Sequence, residues 1–138
     1  MFKIGENYIL ARKLTSDLDP AEVVLCTEVG PYQSSFYSMK NNVKFVAYRH
    51  DYGHIHEIIS NEQFKGKTFA LGDVSYSYKF YEKIVSFAAG ELKPYPTKET
   101  TWFLSDKSSK QTTTSKKARG YRIKRIDENE FWKMYYQE

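Results

Sequence analysis

The sequence predicts an α+β fold. It reads as a single domain, residues 1–138, with an antiparallel sheet of about six strands in a meander, one long helix packed on it and a short C-terminal helix. Three observations carry this. Short runs of β-branched and aromatic residues, broken by turn residues, fill the chain as far as residue 59. The hydrophobic period then changes to a helical one over residues 74–89. A capping box, Asp127-Glu128-Asn129-Glu130, opens a last helix. A chain of 138 residues can bury about two-thirds of its unfolded surface, enough for a core without disulfides. With 12 Tyr, 9 Phe and 2 Trp, that core is aromatic.

Residues 7–14 read as the first strand. Asp19-Pro20-Ala21-Glu22 carries a helix-start pattern, with Asp19 as cap, Pro20 first in the helix and Glu22 as the reciprocal acid. The β-branched run Val23–Val29 favours instead a tight turn at 17–20 followed by a strand. Ser34–Lys40 alternates as a third strand, and Asn41-Asn42 suits a two-residue turn because asparagine tolerates positive φ.

Residues 43–49 and 54–59 are the clearest strand pair, with Asp51-Tyr52-Gly53 as a three-residue hairpin loop. That register sets His50 opposite His54, Tyr48 opposite His56 and Val46 opposite Ile58, so three imidazoles share one face. Ser60 to Gln63 is a second capping box, opening a short helix stopped by Gly66. Lys67–Leu71 is a brief strand. The 74–89 helix starts at Val74 or only near Tyr78, and ends at Gly90. Pro94-Tyr95-Pro96 is a stiff linker, and 100–104 is another strand. Residues 105–118 lack core-forming side chains and read as a flexible basic loop. Gly120–Ile126 is a strand, and the last helix places Phe131, Met134 and Tyr135 on one side.

The net charge of +4 is unevenly spread. Lys107, Lys110, Lys116, Lys117, Arg119, Arg122, Lys124 and Arg125 follow one another with no acid among them, leaving 13 basic and 17 acidic residues elsewhere. Clustered cations release counterions from phosphates, and Tyr121, with Trp102 and Phe103 on the preceding strand, offers stacking surfaces. The first functional expectation is therefore a small non-enzymatic module binding nucleic acid or a nucleoprotein through residues 107–125. The alternative is a protein-binding accessory or inhibitor protein whose basic segment meets an acidic protein surface. The Lys-, Asn- and Tyr-rich composition resembles that of small accessory proteins of large phages, a likeness of composition that covers no motif. An exposed sheet edge also offers a route to a homodimer.

A second alternative is a metal-dependent hydrolase. His50, His54 and His56 suffice for an open divalent-metal site, with Asp51 or Glu57 as a further ligand or base. No phosphate-binding glycine loop, nucleophile elbow or Cys-x-x-Cys motif accompanies them. Otherwise no cofactor is expected. The single cysteine, Cys26, lies in an apolar run and reads as a small buried hydrophobe. One cysteine, no signal-like apolar core and no long apolar run together predict a cytoplasmic, reducing location and no membrane span.

Overall fold

In the computed structural model the α+β class holds, and its strands are dealt into two sheets. The structure describes residues 2–59, 62–106 and 113–136. Two compact units divide the chain, Met1–Ile58 and Ile59–Glu138.

The first unit is an antiparallel sheet of β1 (Asn7–Leu10), β2 (Val23–Glu28), β3 (Gln33–Ser38), β4 (Val43–Tyr48) and β5 (Ile55–Glu57). The strand order is β4-β3-β2-β1-β5. Strands β1 to β4 form the expected meander, with a register shift between Cys26 and Glu28. Alternation sends Tyr8, Leu10, Val24, Cys26, Phe36, Phe45, Ala47 and Ile55 into one core, where Leu18 joins them. Phe2 closes that core edge-on against Tyr8, Phe36 and Tyr52, with centroids 5.1, 5.3 and 4.8 Å away.

No helix forms at Asp19–Glu22. The reciprocal bond is made, Asp19 N–H donating to Glu22 Oε1 at 3.0 Å, but Ala21 has φ 56° and turns the chain into β2. Asn42 takes φ 52° in the turn between β3 and β4, where the sequence predicts positive φ.

The expected hairpin between β4 and β5 is not made. Arg49–His54 is a 3₁₀ helix, begun by Tyr48 N–H donating to Asp51 Oδ2 at 3.1 Å. It carries the chain from one edge of the sheet to the other, where β5 pairs with β1 through Tyr8↔Glu57, Ile9↔His56 and Leu10↔Ile55. Ala11 N–H extends that ladder to the His54 carbonyl at 2.7 Å. The turn chemistry of Asp51-Tyr52-Gly53 is local, whereas pairing beside β1 buries Ile55 in the core.

The second unit is a parallel sheet of β6 (Thr68–Leu71), β7 (Glu91–Lys93), β8 (Trp102–Leu104) and β9 (Lys124–Ile126), in the order β7-β6-β8-β9. Its helices are α1 (Tyr78–Phe87), α2 (Thr113–Gly120) and α3 (Glu128–Tyr135). Parallel neighbours need crossovers, and helices cover both faces of such a sheet. On one face Ala118 of α2 packs with Ala70 and Phe103. The other face carries Phe69, which meets Phe131 of α3 and Phe64 at 5.6 and 5.0 Å between centroids.

Ser77 caps α1, its side chain accepting from Phe80 N–H at 3.3 Å. The helix thus begins at the later of the two expected starts. It ends through Ala89 at φ 66° and then Gly90, where a Cβ would stand 2.8 Å from Phe64 Cβ and Val85 Cγ1. Asp127 and Glu130 form the predicted capping box of α3, with bonds of 2.8 and 3.4 Å. The box expected at Ser60 begins outside the described residues. The helix Thr113–Gly120 replaces the end of the 105–118 segment read as a loop and runs to the start of the strand expected over Gly120–Ile126, which shortens to Lys124–Ile126.

Candidate binding surface and the histidine segment

The basic segment is built on α2, the turn after it and β9. Ala118 is 3% exposed and anchors α2, while Lys116, Lys117 and Arg119 on its other sides are exposed. Lys117 Nζ lies 5.5 Å from the centre of the Tyr95 ring, itself 63% exposed. Lys117 and Arg119 also sit in the last turn, where cations offset the helix dipole.

The helix closes by a Schellman arrangement. Ile123 N–H donates to the Ala118 carbonyl at 3.0 Å, and the two side chains share one apolar cluster. That closure needs a left-handed residue, usually glycine, and Arg122 holds it at φ 58° with its side chain exposed. Tyr121 is 44% exposed beside it. On the edge strand β9, Lys124 is exposed, whereas Arg125 donates from Nη1 to the Ser105 carbonyl at 2.7 Å and braces β9. Lys107 and Lys110 lie outside the described residues.

Of the rings expected to offer stacking surfaces, Tyr121 stays exposed, while Phe103 and Trp102 are taken up in packing. Phe103 is 4% exposed, in the cluster with Ala70 and Ala118. Trp102 is half-buried against Phe69, centroids 5.2 Å apart, with Lys67 Nζ 5.7 Å from its ring.

The histidine grouping does not form, because the hairpin that would create it is replaced by the 3₁₀ helix. His50 is the second residue of that helix, its side chain 80% exposed, its ring stacked on Tyr48 and Nε2 3.4 Å from Asp51. His54 ends the same helix, and His56 lies on β5 opposite the fully buried Ile9. Among the described residues, no three His, Cys, Asp or Glu side chains gather closely enough to hold a metal ion.

Burial pushes the His56 imidazole down to about 4, with a smaller push from His54. The unfolded chain takes up this proton near pH 6.5 and the folded chain only near 4. Stability is therefore present above 6.5 and is lost as pH falls toward 4. The loss amounts to about 3 kcal/mol by pH 4. Urea melts of wild type and His56→Gln at pH 7 and pH 4.5 check this, and an unchanged acid slope in the variant would refute it.

A buried polar cluster missed from sequence sits at the start of α3. Glu128, 8% exposed, accepts from Ser75 N–H and Oγ at 2.7 and 2.9 Å and from the Tyr81 hydroxyl. Its own N–H donates to Asp106 Oδ1 at 2.8 Å. Burial and then the Asp106 carboxyl raise the Glu128 carboxyl, while burial and the Glu128 contact raise the Tyr81 phenol. Cys26, 1% exposed, has its thiol raised by burial and fits the small buried hydrophobe read from the sequence.

No family model matches the sequence, and no curated protein matches it. Among solved structures, the chain is similar to one described as the crystal structure of Rad4 BRCT1,2 in complex with a Crb2 phosphopeptide. The likeness covers 57% of this chain at 16% identity and a TM-score of 0.46. The chain spans 41% of the length of that one. At that TM-score the likeness carries no argument about ligand or activity. No helix among the described residues is long and apolar enough to cross a membrane.

Proposed function

We propose that the chain is a non-enzymatic protein-binding module whose exposed basic surface on α2, the following turn and β9 docks on an acidic protein surface. The observation that carries this reading is Arg122. A non-glycine residue in the left-handed region costs on the order of 1 kcal/mol, and here it holds an exposed guanidinium where glycine would relieve the strain. Ala21 and Ala89 take the same region to turn the chain, but at Arg122 the strained position also presents a guanidinium to solvent, where a partner can read it. Lys116, Lys117 and Lys124 extend the cationic surface around it.

An acidic protein partner is favoured over nucleic acid by what the aromatics do. With Phe103 buried and Trp102 packed on Phe69, Tyr121 alone of the three rings expected to stack stays exposed, so the segment is richer in charge than in the ring surface that single-strand binding uses. A surface dominated by charge suits electrostatic steering toward an acidic patch.

Arg122→Gly separates binding from folding. The variant is expected to be about 1 kcal/mol more stable than wild type in urea melts. It is also expected to bind a labelled Asp- and Glu-rich peptide several-fold more weakly in anisotropy titrations at low salt. Lys116→Glu with Lys117→Glu should abolish that binding with the fold intact by circular dichroism. Unchanged affinity in both variants would show that the segment is not the site. Tighter, steeply salt-dependent binding of single-stranded DNA or RNA of matched charge would replace the protein partner with a phosphate backbone.

A further inference from the structure

We propose that the free edge of β4 accepts an extended, acidic segment of a partner protein as an added strand. This surface lies in the first unit and stands apart from the basic segment above. The main-chain geometry supplies the first argument. Arg49 N–H donates to the Tyr32 carbonyl at 2.8 Å, which makes that pair a hydrogen-bonded one in the antiparallel β3–β4 ladder. Bonded pairs recur at every second residue, so Phe45 and Ala47 face β3 with their N–H and C=O groups. Lys44 and Val46 direct theirs away from it. β4 is the last strand on that side of the sheet, and such an outward row is a template for another strand.

The side chains around this edge supply the second. Eight large apolar or aromatic side chains stand exposed among the described residues, and four lie in β4 or directly flank β3: Tyr32, Met39, Val46 and Tyr48. Tyr48 is 51% exposed and stacks on His50 without being covered. An added strand would lay side chains beside Val46 and Tyr48, as cross-strand neighbours do.

Charge selects the occupant. No acidic residue occurs from Val29 through His50, while Lys44 stands on the edge and Arg49 and His50 at its end. A second copy of β4 would add its own Lys44 and Arg49 to the same edge, and that accumulation of like charge disfavours self-pairing. An acidic strand meets the opposite sign at Lys44 and Arg49, and its register stops short of Tyr48 N–H, which Asp51 already occupies.

The test is amide hydrogen exchange read residue by residue, with a short peptide alternating Glu with Val and a twin alternating Lys with Val. In the protein alone, Phe45 and Ala47 amides should be protected while Lys44 and Val46 exchange rapidly. The Glu peptide should slow Lys44 and Val46 by about tenfold or more, and the Lys peptide should not. Val46→Pro deletes only an outward donor and should abolish the effect while keeping the protection of Phe45 and Ala47. Should that variant fail to fold, Lys44→Glu serves, and its preference should switch to the Lys peptide. No protection by either peptide, equal protection by both, or protection that appears on concentrating the protein alone would overturn the proposal.

Discussion

Replacing Phe131 with alanine is expected to remove about 3–5 kcal/mol from the stability of the second unit. The ring is fully buried and touches five others. Phe64 and Phe69 lie 5.6 Å away, Tyr81 5.4 Å, Trp132 5.3 Å and Tyr135 6.4 Å. Those neighbours are themselves rigid rings on α1, α3, β6 and the turn before it, so they cannot collapse to fill the space, and the cost falls high in the range for such truncations. Against a typical total of about 5–15 kcal/mol, the variant stands near the edge of folding at 37 °C. Urea titration followed by tryptophan fluorescence gives the number, since Trp132 adjoins the cavity. A loss below about 1 kcal/mol would mean that the aromatic cluster is not the core of this unit. Phe131→Leu keeps most of the volume and should recover more than half of the loss.

Glu128→Ala is expected to cost about 3 kcal/mol, although it removes a titratable group from the interior. The carboxylate is the acceptor for Ser75 N–H, Ser75 Oγ and the Tyr81 hydroxyl. Deleting it leaves the phenol of Tyr81, fully buried, without that acceptor. Unmade bonds of this kind cost more than the made ones return, so truncating one partner is worse than the net worth of the network. Glu128→Gln retains one acceptor oxygen and should cost about half as much. A double-mutant cycle with Tyr81→Phe should show strong coupling, because once the hydroxyl is gone the loss of the carboxylate strands less. Additive costs in that cycle would show that the two groups do not share a bond.

Much of this unit's outline was legible in the sequence. Asp127 and Glu130 announced α3, and the stripe through Tyr81, Ile84 and Val85 announced α1. β7 was not legible: Leu92 is its one apolar residue, flanked by Glu91 and Lys93, and its pairing with β6 is made by backbone atoms that carry no side-chain pattern. α2 was hidden for a related reason, since its contact with the sheet rests on Ala118 in an otherwise polar stretch. In the first unit the strands were readable and one partner was not. Asp51-Tyr52-Gly53 offers sound hairpin chemistry, yet burial of Ile55 beside Leu10 outweighs a local turn, and no local signal reports that balance. The histidine grouping failed with the hairpin that would have assembled it. The basic segment was legible as charge; the strained Arg122 and the engagement of Arg125 by Ser105 were not, because both depend on backbone geometry.

The two sheet topologies carry a consequence for the order in which the chain becomes structured during synthesis. Every strand of the first unit has emerged once Glu57 has, and three of its four pairings join strands adjacent in sequence. Such short-range contacts form early and fast. The second unit has no such start. β6 has no strand partner in its own sheet until α1 and Glu91–Lys93 have been made, and β9 arrives only at Lys124–Ile126, after most of the chain. Its exposed aromatic surface therefore waits longest for its partners. That makes residues 62–106, rather than the N-terminal strands, the stretch of the nascent chain most in need of protection from aggregation.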